Sequence, residues 1–165
     1  VITGDDRWYQ VAALLRDAVQ AALTVPVKRT GVVPGAIAWD AADCGALYVA
    51  WTQTYYSDEF PHRVDAPLGN CAPALSITEF TVQVVRCEPS VDTSRAPVGT
   101  AVLDSAAQQL AIDSQQMSAA VLALLCSMTD PPSRIEDFLM GPVLPVGPEG
   151  GLIAAELSVA VGLVR

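Results

Sequence analysis

Leu75-Ser-Ile-Thr-Glu-Phe-Thr-Val-Gln-Val-Val-Arg-Cys87 is the stretch whose reading decides the fold. Successive side chains of an extended strand point to opposite faces, so Phe80, Val82 and Val84 share one side while Thr81 and Gln83 share the other. The β-branched and aromatic content suits a pleated surface covered on at least one face. Such a strand is not stable alone, so the flanking chain must supply strand neighbours and a covering layer.

Upstream, Leu47, Val49 and Trp51 alternate with Tyr48, Ala50 and Thr52, which predicts a second strand from Gly45 to about Tyr56, at least partly covered on both faces. Lys28 to Asp43 contains Gly31, Pro34 and Gly35 without a sustained period and reads as a connection with one short extended piece. The period changes at the start of the chain, where Trp8, Val11, Ala12, Leu15, Val19 and Ala22 recur at helical spacing and predict an amphipathic helix from Asp5 to Leu23. Thr3 and Asp6 have capping-box spacing, Asp5 and Asp6 complement the positive helix start, and Pro26 marks the stop.

Downstream, Val102 to Met128 carries Leu103, Ala106, Leu110, Met117, Ala120, Val121, Leu124 and Leu125 at helical spacing. Asp113, Ser114, Gln115 and Gln116 dilute that stripe, which predicts a break near Asp113, with Asp113 or Ser114 capping a second helix. Pro131 and Pro132 end the helical region. Phe138 to Val146 and Leu152 to Val164 then flank Gly147-Pro148-Glu149-Gly150-Gly151 as a β-hairpin. Pro142 and Pro145 cannot donate ladder hydrogen bonds, so the first of these strands belongs at an edge or is bulged. The second places Leu157, Val159, Val161 and Leu163 on one face and Ser158 and Ala160 on the other. This order predicts a single α+β domain over residues 1–165, with a mostly antiparallel sheet of about four strands backed by an N-terminal helix and one or two central helices.

Composition bounds the function. The 165 residues are 52% hydrophobic and 16% charged, which excludes a disordered chain or a coiled coil. Nine Lys and Arg stand against eighteen Asp and Glu, a net charge of −9, so the basic footprint that grips nucleic-acid phosphates is missing. No uninterrupted apolar run reaches the roughly 18–20 residues of a membrane span. No export signal opens the chain, and neither membrane insertion nor secretion is expected.

Cys44, Cys71, Cys87 and Cys126 form no CxxC pair and have no paired histidines, so no metal is expected. They read as reduced thiols, with Cys87 and Cys126 buried. His62 lies near Asp58, Glu59 and Asp65 in sequence, and with Cys44 it defines the sharpest enzymatic alternative, a Cys–His hydrolase. Against that alternative, Asp40 and Asp43 would raise the Cys44 thiol pKa, and no glycine-framed nucleophile turn is present. Asp5-Asp6, Asp58-Glu59 and Glu136-Asp137 are adjacent pairs whose side chains diverge, and they read as surface charge. Gly147 to Gly151 lacks the basic residue and the strand-to-helix setting of a phosphate cradle, so it reads as a turn. No catalytic residue and no cofactor are expected.

Two stretches carry a resemblance: Ala74-Leu-Ser-Ile-Thr-Glu-Phe-Thr-Val-Gln-Val-Val-Arg-Cys87 and Gly141-Pro-Val-Leu-Pro-Val-Gly-Pro-Glu-Gly-Gly-Leu-Ile-Ala-Ala-Glu-Leu-Ser-Val-Ala-Val-Gly-Leu163. Together with the order of elements, they resemble the tail terminator proteins of actinobacteriophages with long, non-contractile tails. The likeness extends from the first helix to the closing hairpin, and its motifs are architectural. It implies a virion protein, assembled in the host cytoplasm and located at the head–tail junction. Such a subunit, commonly one of six in a ring, caps the major tail tube protein, ends tube growth and meets the head-side connector or stopper protein. Another neck or head-completion subunit is the nearest alternative. Six copies at −9 each carry a formal −54, and acidic groups facing a central hole would let a DNA duplex pass without adhesion. Lateral contact through a sheet edge is one way to close the ring. The residues expected to touch the tube and neighbours are Tyr55, Tyr56, Asp58, Glu59, Phe60, His62 and Arg63 in a long exposed loop over Ser57 to Pro73, and Pro148 and Glu149 at the hairpin tip.

Overall fold

The computed structural model describes residues 6–40, 44–63, 75–89, 98–130 and 135–163. The expectations for Thr3, Asp5, Asp43, Asp65 and Cys71, and for the loop beyond Arg63, lie outside the described residues. Seven elements follow in order: α1 (Arg7–Ala22), β1 (Arg29–Pro34), β2 (Ala46–Ser57), β3 (Leu75–Cys87), α2 (Thr100–Thr129), β4 (Ile135–Glu149) and β5 (Leu152–Leu163). The strands form one mixed sheet in the order β1-β2-β3-β5-β4, with β1 parallel to β2 and the remaining pairs antiparallel. The fold is α+β, and the short extended piece expected near Gly31 is a fifth strand.

Both helices lie on one face of the sheet. Val11, Ala12, Leu15 and Val19 of α1 and Met117, Val121 and Leu125 of α2 meet Leu47, Val49, Phe80, Val82, Val84, Leu157, Val159 and Val161 in one continuous core. The inward rows of β3 and β5 are the rows that their alternation predicts. At the start of α1, Trp8 stacks on Trp51 with ring centroids 4.6 Å apart. The Asp6 carboxylate makes no cap bond to the backbone and instead accepts from Gln10 Nε2 at 2.6 Å.

The opposite, outer face carries two smaller apolar clusters. Ala46, Tyr48, Val85, Leu152 and Ala154 are covered by Ile37 and Trp39 at one end. Leu75, Ile77 and Ala160 are covered by Tyr55 and Phe60 at the other. Tyr55 reaches the outer face because β2 shifts register between Trp51 and Gln53, and the extra residue reverses the alternation.

The expected break in the central helix is absent. α2 runs through as a single 30-residue helix. Asp113 is fully buried and bound to Arg86, while Ser114 donates its hydroxyl to the Leu110 carbonyl at 2.7 Å, so neither caps a new helix. By length and composition α2 could cross a bilayer, but here one of its sides carries the core and that ion pair. β4 is the edge strand that its prolines predict, and it shifts register at three places, around Glu136, Gly141 and Gly147.

Candidate functional site

The residues expected to make contacts form two groups. In the first, Tyr55 and Phe60 fold down onto the outer face of the sheet and pack on the Leu75–Ile77–Ala160 cluster. The Tyr55 hydroxyl donates to the Pro61 carbonyl at 3.1 Å. Burial raises the Tyr55 pKa above the usual tyrosine range, the charge and hydrogen bonding of Glu79 raise it further, and Arg63 opposes the shift. Buried Ser57 accepts from the Glu59 amide at 3.1 Å and donates to the Glu59 carbonyl at 2.7 Å, and the His62 amide returns to that carbonyl at 2.8 Å. Residues 57–62 are therefore a bonded turn and not the open loop expected there. Tyr56 (54% exposed), Asp58, Glu59, His62 and Arg63 are left facing solvent.

The second group is the hairpin tip. Gly150 and Gly151 take φ of 59° and 81°, the left-handed pair that a two-residue hairpin turn demands. Gly147 has φ 104°, and a Cβ there would lie 2.8 Å from the Leu152 carbonyl oxygen, so no other residue fits. This geometry leaves Pro148 and Glu149 exposed.

The two groups do not form one site. The tip adjoins the end of β3, where Cys87 pairs with Leu152, and the turn adjoins its start, where Leu75 pairs with Ser57. The length of β3 separates them by about 40 Å at strand rise.

The same separation bears on thiol chemistry. Cys44 precedes β2 and His62 follows it, so a strand of 12 residues holds them apart. Cys44 is instead joined to Cys87 in a disulfide with Cα atoms 4.8 Å apart, within the normal span. The pair continues the β2–β3 register, in which Ala46 faces Val85. This corrects the reading of Cys44 and Cys87 as reduced thiols and leaves no free thiolate at position 44. Cys126 is a free thiol exposed on α2, not buried, and Cys87 is exposed as well. Among the described residues no group of three His, Cys, Asp or Glu could hold a metal ion. Glu136 and Asp137 are exposed, and the Asp137 carboxylate accepts from the Phe138 amide at 2.8 Å.

Two hollows on the outer face had no counterpart in the sequence pattern. One, about 420 Å³, lies between residues 37–40 and the hairpin tip, where Trp39 Nε1 donates to Gln83 Oε1 at 3.0 Å and Gln83 Nε2 donates to the Glu156 carboxylate. The other is an open trench of about 210 Å³ across the middle of the sheet, with Glu79, Thr81 and Ser158 on its floor and Leu139 on its wall. Its floor follows from the polar row of β3, but its walls depend on which strands lie side by side, which no local pattern encodes.

Comparison of the chain with protein-family models and with curated proteins finds no match.

Proposed function

We propose that the protein is a structural subunit of a phage virion, which forms a ring on the tail tube, ends its polymerisation and joins it to the head-side connector. The observation that carries this reading is the placement of the two contact groups at opposite ends of one sheet. A subunit set with its strands along the ring axis offers the Tyr56–Arg63 turn to one axial neighbour and the Pro148–Glu149 tip to the other. The resemblance of the β3 and hairpin sequences to tail terminators supports the same assignment, and the acidic balance suits a passage that DNA crosses without sticking.

The test is to add purified protein to polymerising tail tube protein and measure tube length by electron microscopy, with gold-labelled antibody marking the chain on virions. Shorter, capped tubes and label at the head–tail junction are expected. Unchanged tube lengths with label at the junction would assign the chain to another neck subunit. Label elsewhere, or none, would overturn the proposal.

A further inference from the structure

β1 runs parallel to β2 and ends beside Trp51, so the chain must travel back along the sheet to enter β2 at Ala46, about 17 Å away at strand rise. It returns over the outer face. Residues 35–40 are the described part of that return and form a strap whose holds differ in strength. At one end the Gly35 amide donates to the Trp51 carbonyl at 2.7 Å. In the middle Ile37 and Trp39 pack on the cluster of Ala46, Tyr48, Val85, Leu152 and Ala154, and the Trp39 indole donates to Gln83 at 3.0 Å. The Arg29–Asp40 ion pair adds little, because its side chains are 47% and 66% exposed. Where the chain re-enters the sheet, the Cys44–Cys87 bond ties it covalently. Cys44 packs on that same outer cluster, so the bond and the strap share one face. Beneath the strap lies the hollow of about 420 Å³ that separates it from the hairpin tip.

We infer that the Cys44–Cys87 disulfide is a redox clasp, open to small thiols in the folded protein, whose reduction frees the strap at residues 35–40 from the outer face while the sheet and both helices stay in place. Access comes first. Cys87 is exposed and Cys44 half-buried, so an incoming thiolate reaches the Cys87 sulfur. The Cys44 sulfur leaves with the bonding electron pair and takes a proton, and a second thiol then displaces Cys87 from the mixed disulfide. Two small thiols become their own disulfide, and the protein gains two thiols. The sheet does not depend on the bond. The Gly45 amide donates to the Val85 carbonyl at 3.1 Å, the Lys28 amide to the Gly45 carbonyl at 2.7 Å, and the Glu88 amide to the Gly151 carbonyl at 2.7 Å. The main core lies on the opposite face and includes neither cysteine. The strap does depend on it. None of residues 35–40 is fully buried, and they stand over a hollow, so their opening costs far less than unfolding the sheet. Lifting them uncovers Tyr48 and Val85 and widens the hollow. The clasp is closed in an oxidising medium and open in the thiol-rich cytosol. This device goes beyond the virion reading and holds whether or not the chain caps tail tubes.

The experiment is limited chymotrypsin digestion of the whole chain, read by mass spectrometry, on oxidised protein, on protein reduced by dithiothreitol and then freed of reductant, and on Cys44→Ser. Cleavage after Trp39 reports the strap, and cleavage after Trp51 and Phe80 reports the sheet. Reduction should speed the cut at Trp39 by about tenfold or more and leave the cuts at Trp51 and Phe80 unchanged. Trp39 emission, taken as wild type minus Trp39→Phe, should shift to the red. Glutathione disulfide, which accepts two electrons and two protons from the thiols, should restore both signals. Equal acceleration at all the sites would mean that the bond supports only global stability, and overturns the inference. So would an unchanged rate at Trp39, or a bond that yields to glutathione only once the protein unfolds, as read by maleimide labelling of Cys44 and Cys87. The reductant acts on the wild-type chain, so the test survives a Cys44→Ser that fails to fold.

Discussion

Arg86 holds Asp113 in a buried two-pronged clamp, with Nε to Oδ2 at 2.7 Å and Nη2 to Oδ1 at 3.0 Å. The side chains are 10% and 0% exposed. The guanidinium also donates to the carbonyls of Val25 at 2.8 Å and Pro26 at 3.3 Å, and Gln109 donates to Asp113 Oδ1 at 3.0 Å. One ion pair thus ties the α1–β1 connection, β3 and the middle of α2 together, with both groups fully bonded.

Removing one partner leaves the other charge buried without compensation. Asp113→Ala is expected to cost about 3–5 kcal/mol in urea unfolding. The double variant Arg86→Met with Asp113→Leu should lose far less, since both polar halves leave together. Equal losses in the single and double variants would show that packing, not the charge, sets the cost.

The Cys44–Cys87 bridge closes a loop with a sequence separation of 43. Chain-entropy reasoning gives a cross-link of that span about 4 kcal/mol at most. Cys87→Ser, or addition of reductant, is expected to lower the unfolding temperature of an otherwise native protein. In the folded, non-reduced protein Cys126 should react with a maleimide while Cys44 and Cys87 do not, as read by peptide mass spectrometry.

Tyr55 should ionise at higher pH than an ordinary tyrosine, because burial and Glu79 both disfavour its phenolate. The folded state therefore holds this proton more tightly than the unfolded chain. The stability so contributed is fully present below the unfolded value and is lost as pH rises through the folded one. In an ultraviolet absorbance titration, Tyr55→Phe should remove a late-titrating component, and Glu79→Gln should move that component to lower pH.

Gly147→Ala is expected to distort the hairpin tip, because the added methyl meets the Leu152 carbonyl at 2.8 Å in a backbone region that side chains avoid. A cost of about 1–3 kcal/mol follows from the strain. If the tip is an axial contact, the same variant should cap tubes poorly at temperatures where it remains folded.

Much of the fold is legible locally. The bounds of β3, the inward rows of β3 and β5, the edge position of β4 and the helical face of α1 follow from period and proline placement alone. The unbroken α2 was not legible, because Asp113 looks like a solvent-side cap until Arg86, 27 residues earlier, is known to sit against it. The disulfide was hidden for the same reason. Cys44 and Cys87 become neighbours only through the β2–β3 register, and neither their spacing nor the residues around them signals it. At the candidate contacts, exposure was foreseen for Asp58, Glu59, His62 and Arg63. Tyr55 reaches the outer cluster through a bulge at Thr52 that the alternating pattern of β2 does not announce, and Phe60 reaches it from the bonded turn that follows the strand.

The covalent link between the start of β2 and the end of β3 also governs how damage to the chain becomes visible. A single protease cut anywhere between residues 45 and 86 yields two fragments that stay tethered, and they separate on a denaturing gel only after the sulfurs are reduced. A nicked chain of this kind would pass for full-length protein on any denaturing gel run without a thiol.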